Sequence, residues 1–245
     1  MDEIERYVFD TQGCLVIPDV LSQDEVRRLV AGIPRDDGGK VVSEDDGVTF
    51  RGLLDYEEPL YRELIAHPRI VPYLRALLCS VDEPEAGHFQ LSHEYGLAMR
   101  VEQQGPSFHG GGTPYRRWIG YQVQEGQVYC ALIGVVWLLT DVGPDDGGFW
   151  YIPGSHKAEF PLPEAVRTYA QVPSCVVQPT ARAGSAFIFT EALTHGTRPW
   201  IAAHQRLALF YKYVPGLMAH VRPVPGRALN NEQRARLEPN RLRPG

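Results

Sequence analysis

The chain has 245 residues, 44% hydrophobic and 10% aromatic, which suits one large folded unit and is too apolar for a disordered chain. A formal charge of -6 excludes a general nucleic-acid binder, which needs a basic surface. Cys14, Cys79, Cys130 and Cys175 lie far apart without a C-x-x-C pair, so neither structural zinc nor a disulfide framework is expected.

The charged start Met1-Asp-Glu-Ile-Glu-Arg6 lacks the apolar core of a signal peptide, and no apolar run is long enough to cross a bilayer. A cytoplasmic protein without membrane contact is therefore expected. Glu3 to Phe9 predicts a short helix ended near Gly13, and Cys14 to Ile17 a brief strand stopped by Pro18. Ser22-Gln-Asp-Glu25 has capping-box spacing and predicts a helix to about Gly32, with Val26, Leu29 and Val30 on its apolar face. Arg35 to Gly47, rich in Asp and Gly, predicts a loop. Leu60 to Ala66 and Ile70 to Leu78 read as two helices separated by His67-Pro68.

From His88 the pattern changes to short segments rich in Tyr, Val, Ile, Phe and Trp between Gly, Pro and Asp clusters. Strands are predicted at Phe89 to Tyr95, Met99 to Glu102, Gly120 to Gln124, Tyr129 to Thr140, Gly148 to Ile152, Ser174 to Gln178, Ser185 to Phe189 and Gln205 to Val214. Short helices are predicted at Glu164 to Tyr169 and Asn231 to Leu237. Helices followed by about eight strands predict a mainly β fold, a double-stranded β-helix or cupin-like jelly roll with N-terminal helices. The expected organisation is a single domain over 1–245: a helical buttress (1–85), a jelly-roll core (86–220) and a C-terminal extension (221–245).

Phe108-His-Gly-Gly-Gly112 places His109 among glycines that allow close backbone approach. A second histidine, His195, and Arg206 lie far downstream. Two histidines and a carboxylate on one face of a metal leave three positions open, the arrangement of non-haem Fe(II) oxygenases, where a bidentate 2-oxo acid and O2 bind. His156, His67, His88, His93, His204 and His220 are read as ordinary structural or surface histidines.

The ordered segments Gly13-Cys-Leu-Val-Ile-Pro-Asp-Val-Leu-Ser22, Trp137-Leu-Leu-Thr-Asp141, Ile152-Pro-Gly-Ser-His156, Gly184-Ser-Ala-Phe-Ile-Phe189, His195-Gly-Thr197 and Arg206 resemble the phytanoyl-CoA dioxygenase-like branch of the Fe(II)/2-oxoglutarate oxygenases. The resemblance implies His109 and His195 as iron ligands. It also implies Arg206 as the partner of the distal 2-oxoglutarate carboxylate, with Thr197 and Trp137 beside the co-substrate, and Fe(II), 2-oxoglutarate and O2 as cofactors.

The departure is Gly111, where the family pattern His-x-Asp or His-x-Glu has its third ligand. Three readings follow. A carboxylate from elsewhere replaces it; Glu191 is nearest to His195, but four residues of extended strand span roughly 13 Å, so a turn is needed, while Asp145 and Asp146 belong to a turn away from the metal. Alternatively, the position takes a halide, as in the Fe(II)/2-oxoglutarate halogenases that this His-x-Gly variant resembles, with chloride as ligand and co-substrate. The third is a non-catalytic jelly-roll binding protein. The sequence reading favours the halogenase, chlorinating a C–H of a small anionic molecule in natural-product biosynthesis, a nucleotide among the candidates, over the hydroxylase and the binding protein. Tyr115, Arg116, Arg117, Arg198 and Glu191 are the candidate substrate contacts. The small size leans towards a free small molecule over one tethered to a carrier protein.

Overall fold

The computed structural model describes residues 1–33, 41–44, 47–79, 89–103 and 105–216. Helices α1 (Glu3–Gln12) and α2 (Gln23–Ala31) start at Asp2 and Ser22. Each cap side chain accepts the N–H of the glutamate three residues on, and that carboxylate accepts the cap's own N–H. Gly13 ends α1 with φ 76°, a left-handed C-cap that favours glycine. Strand β1 (Cys14–Ile17) lies between α1 and α2. Then come β2 (Val41–Glu44), β3 (Gly47–Arg51), α3 (Leu60–Glu63) and α4 (Val71–Leu78). The remainder comprises β4 (Phe89–Met99), β5 (Tyr121–Gln124), β6 (Gln127–Cys130), β7 (Ile133–Leu138), β8 (Gly148–Tyr151), α5 (Glu164–Arg167), β9 (Ala186–Thr190), β10 (His195–Arg198) and β11 (Arg206–Pro215).

Seven strands form one antiparallel sheet in the order β1-β9-β7-β11-β4-β3-β2. Strict alternation divides its side chains between two faces. One face, carrying Val135, Trp137, Ile188, Leu209 and Tyr211, packs on the helices through Leu29, Tyr61, Leu74 and Leu77. Three phenols fasten that contact: the hydroxyls of Tyr61, Tyr211 and Tyr213 donate to the carbonyls of Leu29, Tyr61 and Ile65. The other face carries Leu97, Met99, Val136, Leu138, Phe187, Phe189, Ala208 and Phe210, and packs with Phe149 and Tyr151 of the ribbon β10-β8. This second face holds the chemistry.

The jelly roll is thus corrected to a mixed α/β fold with an N-terminal helical region and one large sheet. Among the described residues the strands divide seven, two and two, and the large sheet has edges at β1 and β2 with no closure into a barrel. The helical buttress is likewise not purely helical, because β1, β2 and β3 all join the large sheet. The predicted Phe89–Tyr95 strand extends to Met99 in β4, the strand expected at Met99–Glu102 does not form beyond Met99, Tyr129–Thr140 divides into β6 and β7, and around Ser174–Gln178 only the bridge Val177↔Tyr151 forms. The helix expected at Asn231–Leu237 and the extension 221–245 lie outside the described residues.

Candidate metal centre

Strand β9 ends at Thr190, where Leu193 N–H donates back to the Thr190 carbonyl at 2.9 Å, and β10 begins two residues later at His195. This tight turn supplies the reversal that Glu191 needs to come back beside His195. The glycine loop lies directly on it. His109 and His195 exchange two backbone hydrogen bonds of 2.9 Å, Gly111 N–H donates to Ala192 O at 2.8 Å, and Gly112 N–H to Ser155 O at 2.8 Å. Gly110 has φ +83°, and a Cβ there would stand 2.3 Å from the Leu193 carbonyl oxygen. Only glycine permits this approach.

The two imidazole centroids lie 4.2 Å apart. His109 Nδ1 meets Ser107 O at 2.9 Å, and His195 Nδ1 meets Leu193 O at 2.8 Å. A carbonyl only accepts, so both Nδ1 atoms carry a proton. Burial, with His109 alongside, lowers the His195 pKa to about 3, which keeps its ring neutral. Glu191 Oε2 faces His195 Nε2 at 3.8 Å, and its Oε1 pairs with Lys212 Nζ. Burial works to raise the Glu191 pKa, but the Lys212 ammonium beside it outweighs burial and the pKa is lowered. With His195 neutral, the 3.8 Å contact sets two lone-pair acceptors against each other, which calls for a cation between them.

A donor set of two imidazoles and a carboxylate fits Fe(II). Among the described residues no group of three His, Cys, Asp or Glu side chains is gathered as a metal site; beside the two rings stands Glu191, 3.8 Å from His195 Nε2. The hydrogen bonds on both Nδ1 atoms supply the outer support that orients metal-binding histidines.

Arg206 begins β11 on the same face, only 1% exposed. Among the described residues its Nε has no hydrogen-bond partner, and an NηH donates to Met99 Sδ at 3.2 Å. Burial pulls its pKa down to about 10, with Tyr95 the one charge-bearing group acting against that. A buried cation without a carboxylate is costly, and among the described residues none faces Arg206, so the pocket suits an incoming anion. Arg206 lies under Gly148, where a Cβ would come 3.1 Å from its Nε, and His195 pairs with Tyr151 at the far end of the same strand. Those two ends of β8 are about 10 Å apart by strand rise, room for a short diacid.

The other predicted site residues are placed as follows. Thr197 is buried on β10, two residues from His195. Trp137 is on the opposite face of the sheet, packed on His67 and Tyr211, so it does not line the pocket of Arg206; the alternation along β7 turns it to the helices. A Cβ at Gly111 would meet the Thr194 hydroxyl at 3.0 Å, and φ there is +96°. Gly111, Tyr115, Arg116, Lys157 and Ala192 line a cleft of about 190 Å³ beside the glycine loop, which His109 and His195 do not border. Arg117 is exposed, and Arg198 stacks 3.9 Å over Trp150 on the outer side of β10. Asp146 accepts the Gly143 N–H in the turn before β8. Lys212 escapes the sequence reading, although a lysine inside Leu-Ala-Leu-Phe-Tyr-Lys-Tyr is a signal, because a charge on a buried strand needs a partner.

His156 is structural. It is 2% exposed, its Nε2 bonds to the Asp10 carbonyl at 3.1 Å, and its Nδ1 lies under Gly13. Burial lowers its pKa to about 4, while in the unfolded chain it titrates near 6.5. The unfolded state then binds more protons, so stability is full above about pH 6.5 and falls towards pH 4, by about 3 kcal/mol for this group. Urea midpoints at pH 7.5 and 5 should differ accordingly, and His156→Gln should shrink the difference; equal dependence in both proteins would contradict it.

The phytanoyl-CoA dioxygenase (PhyH) family profile matches residues 9–208. The ectoine dioxygenase of Sphingopyxis alaskensis is 24% identical over 236 residues, covering 84% of this chain and 73% of that protein. HygX of Streptomyces hygroscopicus, in a crystal structure with nickel, 2-oxoglutarate and hygromycin B, is 26% identical with a TM-score of 0.75, covering 88% of each chain. The same protein with iron bound has a TM-score of 0.72 at 26% identity, covering 88% of this chain and 87% of that one. The carbocyclase SnoK of nogalamycin biosynthesis shares the fold, with a TM-score of 0.65 at 18% identity and 94% of each chain covered. These findings correct the halogenase reading and its chloride: the similar proteins found include a dioxygenase, a carbocyclase and an epimerase, and a carboxylate already stands beside His195. Among the described residues no helix is long and apolar enough to cross a membrane.

Proposed function

We infer the reaction from a plain premise: the chain belongs to the phytanoyl-CoA dioxygenase family and is a non-haem Fe(II)/2-oxoglutarate-dependent enzyme. We propose that it hydroxylates a small polar molecule, with His109, His195 and Glu191 holding the metal and Arg206 holding the distal carboxylate of 2-oxoglutarate. The supporting observation is that Glu191 Oε2 faces His195 Nε2 at 3.8 Å and the His109 ring lies 4.2 Å from the His195 ring, where Gly111 offers no side chain.

When bound, Fe(II) with 2-oxoglutarate supplies the oxidising power for attack on a C–H bond. The chain's own residues prepare for it. The Nδ1 hydrogen bonds aim both imidazoles, and burial keeps His195 unprotonated as a donor. The guanidinium of Arg206 orients the co-substrate by its far end, and Thr197, buried on the same strand as His195, offers a hydroxyl nearby. The aromatic wall of Phe149, Phe187, Phe189 and Phe210 keeps water from the centre. His109 is exposed on the loop side, so the substrate reaches the metal from there. Tyr115 and Arg116 line the cleft beside the glycine loop and are the candidate contacts for the substrate. Bound hygromycin B in HygX supports a free, polar, natural-product-like substrate class.

The test is the visible charge-transfer band of anaerobic protein given Fe(II) and 2-oxoglutarate. It should form in the wild type and be absent in His109→Ala and His195→Ala. Turnover should consume 2-oxoglutarate and add one oxygen atom to the substrate. A wild type that retains no iron sinks the reading.

A further inference from the structure

We propose that Lys212 is a positioning residue of the metal centre: it holds Oε1 of Glu191 so that the carboxylate presents only Oε2 to the metal, leaving positions for 2-oxoglutarate and O2. The inference rests on the reading of Glu191 as third donor.

Four features build this arrangement. Lys212 is 5% exposed and its Nζ pairs with Glu191 Oε1, while Oε2 faces His195 Nε2 at 3.8 Å. The ammonium sits over the Phe189 ring at 4.5 Å and the Phe210 ring at 5.7 Å, which confines it laterally. Its cross-strand partner on β7 is Gly134, and a Cβ there would stand 2.6 Å from the Phe189 ring and 3.0 Å from Glu191 Oε1. The missing side chain is the space the carboxylate uses. The register of β11 against β4 shifts between Lys212 and Tyr213, and such an irregularity re-aims a strand side chain.

A buried ion pair is weak evidence for stability, since apolar residues of similar volume often serve as well. This pair does something an apolar pair could not. A carboxylate free at both oxygens can take two coordination positions; one oxygen engaged by an ammonium leaves a single donor. Three open positions then remain beside two histidines and one oxygen, as a bidentate 2-oxo acid plus O2 requires.

Lys212→Met and Lys212→Arg should be compared with wild type by anaerobic titration of the Fe(II) protein with 2-oxoglutarate, following the charge-transfer band, and by Co(II) absorption without co-substrate. Thermal melts establish folding. In Lys212→Met the band should need about tenfold more 2-oxoglutarate and the Co(II) spectrum should change. Lys212→Arg, which keeps the cation, should restore most of both. A purely structural pair would lower the melting temperature and leave band, midpoint and Co(II) spectrum at wild-type values, which would overturn the proposal. If Lys212→Met does not fold, the neutral donor Lys212→Gln decides by the same titration, with a shift of about threefold or more expected and none overturning it. Glu191→Gln separates the two levels. Wild-type metal binding in that variant removes Glu191 from the centre. Lost binding there, with an unchanged Lys212→Met, removes only Lys212.

Discussion

Arg206→Met should raise the 2-oxoglutarate requirement about 100-fold while making the protein without co-substrate more heat-stable. Both effects have one cause. The guanidinium is buried, its Nε is unpartnered, and burial lowers its pKa to about 10, still cationic at neutral pH. Burying a charge without its counter-charge costs several kcal/mol, and an apolar residue of similar volume removes that cost, a gain of about 1–4 kcal/mol. The same charge is the anchor for an incoming carboxylate, so the wild type should gain about 2.7 kcal/mol of stability from 2-oxoglutarate at 100 times its dissociation constant. Arg206→Met should gain almost none. Arg206→Lys should fall between, because an ammonium cannot make the bidentate fork. Melting curves with and without 2-oxoglutarate check the pair of effects. A destabilised Arg206→Met that still responds fully to the co-substrate would show that the anchor is elsewhere.

The chemistry-bearing residues were readable because their signals are local or sit in order along the chain. The capping box at Ser22 needs only side chains three residues apart. Arg206 announces itself as a charge opening a long apolar strand. What the sequence hid are relations between segments. The turn at Glu191–Leu193 contains neither Gly nor Pro, so nothing in Thr-Glu-Ala-Leu-Thr marks the reversal that carries Glu191 back to His195. Trp137 has the right composition for a pocket wall, but strand alternation decides its face, and the face cannot be assigned until the neighbours of β7 are known. The strands β2 and β3 lie in and just after a stretch whose Asp and Gly content reads as loop; pairing of β3 with β4 overrides that composition. The missing acid at Gly111 was legible and Glu191 could be named as a candidate for its place, but not preferred, because bringing it back to His195 depends on that unmarked turn.

The glycine loop gives the other large effect. Gly110→Ala should abolish formation of the Fe(II)–2-oxoglutarate band while Gly126→Ala leaves it intact. The two glycines share a left-handed backbone, with φ +83° at Gly110 and +75° at Gly126. Alanine at either therefore bears a similar dihedral cost of about 1 kcal/mol. They differ in what the new methyl meets. At Gly126 nothing lies within 4 Å, whereas at Gly110 the Leu193 carbonyl oxygen is 2.3 Å away and the Glu191 carbonyl oxygen 3.2 Å. Those atoms are backbone and cannot swing aside, so either the loop lifts or the turn shifts. Either movement breaks the paired hydrogen bonds between His109 and His195 and the bond from Gly111 to Ala192. Both imidazoles and Glu191 then lose their common focus at once, although the large sheet, formed by other strands, stays folded. Circular dichroism and anaerobic band titration on the two variants read the two consequences separately. A Gly110→Ala protein that binds Fe(II) and 2-oxoglutarate as Gly126→Ala does would mean that the metal centre does not depend on the close seating of the loop upon the turn.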